Sequence, residues 1–249
     1  MKQPHLRVGK KDVNKYCLLP GDPGRVLRIA KHLKNAKKIS DYRGYLVYNG
    51  DYKGVPVTVC STGMGGPSIA IAIHELVKCG AQVLIRVGSS GALQKGMKEG
   101  ELIIPSSCVR EDGVSRLYAD KSTPAYPNKK VLKALVKSAE GLGVKYHEGV
   151  TRSHDGFYQP DNDKVEQFWS RVGLLGSDFE TSPLFIISRL LKVKTGSILN
   201  IVSEFHVEEP EGGITDYVEQ ISSRKGPAYE GERNSIMVAL SAIKKLRDK

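Results

Sequence analysis

"LLPGDPGRVLRIA", residues 18–30, runs from two leucines through Pro20, Gly21, Asp22, Pro23 and Gly24 into Val26, Leu27, Ile29 and Ala30. An apolar run that stops at a proline and glycine cluster and then resumes with helical spacing reads as a strand, a tight turn and a helix. Arg25 falls in the first turn of that helix. Such an arginine serves either a surface salt bridge or an anion held at the turn.

The same design recurs downstream. "CSTGMGGPSIA", residues 60–70, and "LIRVGSSGAL", residues 84–93, each place glycines directly after a β-branched run. Further runs of this kind are "YLVYNG", "GELIIP", "KYHEGVT" and "GSILNIVS". Helix-like stretches separate them. One opens at Pro67 and Ser68, with Ser68 as its cap, and ends at Gly80. Another is "KKVLKALVKSAEGLG", with Gly141 as its stop, and a last one runs from Arg233 with Ile236, Leu240, Ile243 and Leu246 on one face. Alternating strands and helices, with no linker or repeat, predict a single α/β domain over residues 1–249 around a largely buried sheet. Ligands of such folds sit at the carboxyl ends of the strands, where these glycine-rich turns lie.

Several function classes are excluded on the same grounds. The turns match neither the dinucleotide pattern G-x-G-x-x-G nor the P-loop pattern. Cys17, Cys60, Cys79 and Cys108 are scattered, without metal spacing or a disulfide framework, so no metal site is expected. No apolar run is long enough for a membrane span, and "MKQPHLRVGKKDVNKY" lacks a signal-peptide core, which predicts a cytoplasmic protein. The formal net charge of +11 gathers in "KHLKNAKK", "NKKVLKALVK" and "KKLRDK". These clusters carry no interleaved aromatics, so they read as solvated helix faces, with neither a nucleic-acid nor a membrane partner.

Arg86 is the more telling cation. It stands inside the apolar run "VLIRVG", and a guanidinium there needs an anion or a core carboxylate beside it.

"PGDPGRV", "RGYLVYNG", "CSTGMGGPSIAIAIHEL", "IRVGSSGALQ", "VREDG", "GVTRSHDGFY" and "DFETSPLF" occur in an order and spacing that resembles the nucleoside phosphorylase family of bacterial uridine phosphorylase and hexameric purine nucleoside phosphorylase. The resemblance extends from about His5 to the C-terminal helix. It implies a central, mixed, partly barrel-like sheet flanked by helices, and a homo-oligomer with a dimer as its minimal active unit, assembled as a hexamer. The implied activity is a pentosyl transfer of nucleoside salvage. Inorganic phosphate cleaves the N-glycosidic bond to give (deoxy)ribose 1-phosphate and free base, with phosphate as a substrate and no cofactor.

By the same resemblance Gly21, Arg25, Arg86 and Ser89 bind phosphate, and Arg43 reaches the site of a neighbouring subunit. Glu180 holds the ribose hydroxyls, Met64 packs on the sugar, and His5 crosses the dimer interface to the 5′-hydroxyl. Phe157 stacks on the base, and Phe179 replaces a methionine usual in the family. Arg86, Glu180 and Glu204 are the expected catalytic residues.

The base pocket departs from the uridine branch. Where uridine phosphorylases carry a glutamine and an arginine after the "FY" pair, this chain places Asp161 and Asp163, which offer no donors to uracil while ionised. In "NIVSEFHVEEP" Glu204 takes the place of the aspartate that protonates the leaving purine in the purine branch. Glu204 either acts as that acid or pairs with a nearby cation. His206 and the acidic residues after it form a flap over the base or a plain surface loop. The reading tilts slightly to purine nucleosides, with uridine phosphorylase as the alternative. A phosphate-independent nucleosidase or a non-catalytic nucleic-acid-binding protein are more distant rivals.

Overall fold

The computed structural model describes residues 1–205 and 210–248, without the side chains of 210–214. Its strands are β1 (Tyr16–Leu19), β2 (Lys34–Tyr42), β3 (Tyr45–Tyr52), β4 (Val55–Cys60), β5 (Val83–Ala92), β6 (Leu102–Arg110), β7 (Tyr146–Ser153), β8 (Gly176–Asp178) and β9 (Lys194–Ser203). Its helices are α1 (Pro23–Ala30), α2 (Gly66–Lys78), α3 (Gly113–Tyr118), α4 (Lys129–Gly141), α5 (Asn162–Val172), α6 (Thr181–Leu190), α7 (Pro210–Ser223) and α8 (Pro227–Arg247). Among the described residues no helix is long and apolar enough to cross a membrane.

All nine strands join one sheet in the order β2-β3-β4-β1-β5-β8-β7-β6-β9, and β9 pairs back onto β5. That last pairing closes β5, β8, β7, β6 and β9 into a ring and leaves β1, β4, β3 and β2 as an arm. The pairings are mixed: β1 runs parallel to both β4 and β5, while β8 is antiparallel to β5. The expected α/β fold with a partly barrel-like mixed sheet is thus present. Gly176 lets the ring close, because a Cβ there would lie 2.7 Å from the Gly91 carbonyl oxygen of β5.

Burial explains why the central strands read as continuous apolar runs. All four residues of β1 are buried, as are eight consecutive residues of β9, since helices cover both faces. Val131, Leu135, Ile236, Leu240 and Ile243 of α4 and α8 pack on one side. Ile69, Ile73, Leu76, Leu184, Phe185 and Ile187 of α2 and α6 pack on the other. Each such side chain contributes on the order of 1.5–3 kcal/mol through burial.

Four local expectations differ from the structure. The basic cluster at 31–38 is solvated, but Lys34, Lys37 and Lys38 lie on the exposed edge strand β2 rather than on a helix. Lysines on an edge discourage pairing with another sheet, and this use of charge is invisible to helical periodicity. Helix α2 starts at Gly66 with Gly65 as its cap, while Ser68 Oγ bonds the Thr62 carbonyl instead. Gly141 is the last residue of α4, and Gly143, at φ +65°, takes the left-handed turn. Helix α8 begins at Pro227, before Arg233.

Helix α8 crosses the end of the ring at Gly231, where an added Cβ would lie 2.5 Å from the Gly100 carbonyl oxygen and overlap the Asn200 amide. Gly231→Ala gains about 1 kcal/mol of helix propensity, and forcing backbone apart costs ~1–3 kcal/mol. The overlap is with backbone, so the cost prevails. The melting temperature is expected to fall by ~2–6 °C in calorimetry, and an unchanged or raised value contradicts this packing.

Candidate functional site

The carboxyl ends of β1 and β4 lie side by side, with β1 ending against the middle of β5, because Leu18 pairs with Val59 and Leu19 with Arg86 in parallel register. The turn after β1 therefore meets the turn after β4: the N–H groups of Thr62 and Gly63 donate to the carbonyls of Pro20 and Gly21 at 2.9 and 3.1 Å. Gly21 cannot carry a side chain easily, since its Cβ would stand 3.0 Å from the Gly63 carbonyl oxygen. Asp22 caps α1 by accepting from the N–H groups of Gly24 and Arg25 at 2.7 and 2.8 Å, which fixes where Arg25 starts.

Arg25 is 3% exposed, so it is not a surface salt bridge. Its Nε donates to Glu232 at 2.8 Å, Nη1 to the Val87 carbonyl at 2.8 Å, and Nη2 to Ser89 Oγ at 2.8 Å and Tyr217 Oη at 2.7 Å. Arg28 also pairs with Glu232, and Tyr217 donates to the same carboxylate at 2.6 Å. Burial works to raise the Glu232 pKa, but Arg25 and Arg28 prevail and hold it down at about 2. For Arg25 burial opposes the charge, while Tyr217 and Glu232 outweigh it and raise the pKa.

Arg86 is equally buried. Its Nε lies 2.9 Å from Asp178 Oδ2, and its Nη2 lies 2.6 Å from Glu180 Oε2. The guanidinium folds back over Gly88, where a Cβ would be 2.5 Å from Arg86 Cζ; only glycine leaves room. Glu180, the residue before α6, accepts with its other oxygen from the N–H of Gly65 at 2.6 Å. Burial pushes the Glu180 carboxyl up, partly offset by Arg86. The structure thus brings together Arg25 and Ser89 on one side and Arg86 and Glu180 on the other, with Gly21 in the turn just before α1.

Met64 lies between Gly63 and Gly65 and is 84% exposed, beside the turn that Glu180 holds. Phe157 and Phe179 meet edge to face at 6.4 Å, and the His154 ring packs on Phe179 at 4.9 Å. Burial, helped by Arg152, pushes the His154 imidazole down to about 4, so it is neutral near pH 7. Asp161 and Asp163 are exposed at the start of α5, and Asp161 accepts from Lys164 Nζ at 2.6 Å.

Three other expected residues stand apart. Glu204 follows β9, but its carboxylate accepts from Lys98 Nζ at 2.9 Å and from the Glu99 N–H at 3.3 Å. Arg43 lies on the exposed β2–β3 turn at φ 52°, its guanidinium 5.5 Å from the Tyr42 ring centroid. His5 is tied to the buried Glu75 of α2, with Nδ1 at 2.6 Å and its backbone N–H at 3.1 Å. His206 lies outside the described residues, and the last acidic residue after it, Glu211, is in the first turn of α7.

Sequence reasoning missed Glu232, Tyr217, Asp178 and His154. Glu232 carried a usable signal: it is a lone carboxylate on the otherwise apolar face of the last helix. Asp178 stands two residues before Glu180 in the stretch that named the latter.

Glu232→Gln leaves the buried Arg25 and the partly buried Arg28 short of a charge, a loss of ~3 kcal/mol that should lower the melting temperature by ~6–12 °C at neutral pH. A carboxyl held down in the folded state stabilises above its ordinary value of 4.5 and loses that contribution as pH falls through about 2. Calorimetry should therefore show the gap between wild type and variant narrowing below about pH 4.5, and a gap that widens in acid contradicts the assignment.

A family model described as "Phosphorylase superfamily" matches residues 15–225. The uridine phosphorylase of Thermococcus kodakarensis is 35% identical over 99% of this chain and 87% of its own length. The guanosine phosphorylase of Halorubrum lacusprofundi is 32% identical over 97% of this chain and 98% of its own length. Among solved structures, uridine phosphorylase from Vibrio fischeri superposes with a TM-score of 0.90 at 40% identity, covering 98% of both chains. Purine nucleoside phosphorylase from Toxoplasma gondii, in complex with immucillin-H, superposes with a TM-score of 0.88 at 27% identity, over 99% of this chain and 97% of its own. The fold, the paired guanidiniums and these likenesses agree: the chain belongs to the phosphorylase superfamily, within its nucleoside phosphorylases.

Proposed function

We propose that inorganic phosphate enters beside Arg25, Arg86 and Ser89 and attacks the anomeric carbon of a bound nucleoside. The C–N bond to the base breaks, its electron pair leaves on the base nitrogen, and a C–O bond to phosphate forms. The products are a pentose 1-phosphate and the free base. The observation that carries this reading is the pair of buried guanidiniums, Arg25 in the helix turn that follows β1 and Arg86 within the parallel neighbour β5, with Ser89 Oγ 2.8 Å from Arg25. Guanidinium forks and a hydroxyl match a tetrahedral dianion, and they rank above a water-using nucleosidase, which needs no such cup.

Glu180, linked to Arg86 at 2.6 Å, takes the ribose hydroxyls and couples the sugar to the anion. As positive character grows on the sugar ring, the carboxylate and the phosphate both stabilise it. Phe157 and Phe179 flank the base. Glu204 is held by Lys98, which removes the main support for a tilt toward purines; the relatives named for uridine and guanosine support both kinds of base. His5 and Met64 keep their ribose roles in this reading.

The guanidiniums near the cup are already balanced: Arg25 and Arg28 share Glu232, and Arg86 has Asp178 and Glu180. A dianion therefore gains from one further cation, and the exposed Arg43 of a neighbouring subunit supplies it. The minimal active unit is then a dimer, arranged as a hexamer of three such pairs.

Base release from uridine, inosine, guanosine and adenosine, followed by chromatography with and without phosphate, tests the reaction. At least one nucleoside should be cleaved only when phosphate is present, and Arg86→Ala should lower that rate ~100-fold or more. Phosphate-independent release overturns the reading.

Equal mixing of inactive Arg43→Ala and Arg86→Ala subunits tests the trans arginine. Each mixed dimer restores one complete site, so activity should recover to about a quarter of wild type. Activity no greater than the sum of the separate variants contradicts a shared site.

A further inference from the structure

Arg152 lies in the third strand of the ring, and none of the roles above uses it. It is 0% exposed, and none of its guanidinium nitrogens has a hydrogen-bond partner among the described residues. Glu111 Oε2 stands 3.1 Å from Nη1 without the alignment of a hydrogen bond. Burial pushes the guanidinium's pKa down, against the pull of Glu111 and Glu166. A cation in such a place, with up to five donors unmet, is costly unless something meets them.

Strand alternation fixes where this side chain points. Ser153 donates to Asp178 Oδ1 at 2.6 Å and accepts from the Ser182 N–H at 2.9 Å, so it faces α6. Arg152 therefore faces the other way. In the parallel register of β7 and β8, Arg152 lies beside Ser177 and Ser153 beside Asp178. The side of the sheet shared by positions 152 and 177 is continued by His154 and Phe179, whose rings touch at 4.9 Å, and Phe157 completes the cluster. This is the aromatic side on which the proposed function places the base.

We infer that Arg152 reads the base edge, donating to an exocyclic carbonyl oxygen, and that it selects bases bearing such a carbonyl, uracil and the 6-oxopurines, over adenine. This role for Arg152 rests on the phosphorylase reading for the position of the base. Asp161 and Asp163 are exposed and lack donors, so the donor that a carbonyl base requires comes from the strand before the "FY" pair instead of the helix after it. Adenine presents an amino group where the carbonyl would be and would leave the guanidinium unmet while facing it with another donor. The neutral His154 beside it adds no competing charge near pH 7.

The test compares wild type, Arg152→Met and Arg152→Lys. Measured quantities are kcat/KM for uridine, inosine, guanosine and adenosine at saturating phosphate, the KM for phosphate, and the melting temperature. Wild type should prefer its best carbonyl-base nucleoside over adenosine by about 10-fold or more. Arg152→Met should lose at least about 10-fold on that substrate, with the KM for phosphate within about twofold. Its melting temperature should not fall, because a buried cation is removed and Glu111, 33% exposed, is rehydrated. Arg152→Lys should recover part of the loss. A preference for adenosine, an Arg152→Met rate within twofold of wild type, or a loss accompanied by a lower melting temperature or an equal change in phosphate KM overturns the assignment. If wild type cleaves no nucleoside with phosphate, the phosphorylase reading itself fails, and the assignment of Arg152 falls with it.

Discussion

The buried guanidiniums of Arg25 and Arg86 are each met by a carboxylate, and these two pairings tie together distant parts of the chain. Arg25 is matched by Glu232, 207 positions away, and Arg86 by Asp178, 92 positions away. Each pair fixes a helix as well as a charge: Glu232 seats α8 against α1, and Glu180 sets the start of α6 against the turn after β4. Removing one partner leaves a buried charge uncompensated, which is far more costly than never having built the pair. The site is therefore part of what holds the fold's open end in shape.

The same balance shapes the chemistry. In the proposed reaction, a neutral cup of paired charges would not attract phosphate through net charge; it would present fixed donors in a buried setting, where directed hydrogen bonds count most. Glu180 touches Arg86 on one side and the Gly65 N–H on the other, so in the proposed reaction anion and sugar would be sensed by one connected set of groups. Tyr217 brings α7 into that set through Arg25 at 2.7 Å, joining the segment after residue 209 to the Arg25 cluster.

Much of this was legible from residue order. The turn at 20–25 and the charge inside "VLIRVG" pointed to two guanidiniums that the structure buries and pairs, because proline, glycine and an arginine amid apolar residues each have narrow physical uses. The edge strand β2 was not legible, since its lysines mimic a solvated helix and only the pairing with β3 reveals them. Glu204 shows the limit of reading by position: its place after β9 suggested an acid, while Lys98, 106 residues earlier, decides where the carboxylate goes. Arg152 sits in "GVTRSHDGFY" under the same rule that singled out Arg86, an arginine amid a strand run, and the structure shows that the rule applied to both.

Transfer of the pentose to phosphate itself is the central claim, and the fate of labelled oxygen tests it most directly. With phosphate carrying ¹⁸O at all its oxygens, mass spectrometry of the sugar product should show a pentose 1-phosphate that keeps every label, including the oxygen bridging phosphorus and carbon. Free pentose with unlabelled oxygen at the anomeric carbon, and phosphate left unconsumed, would contradict the account.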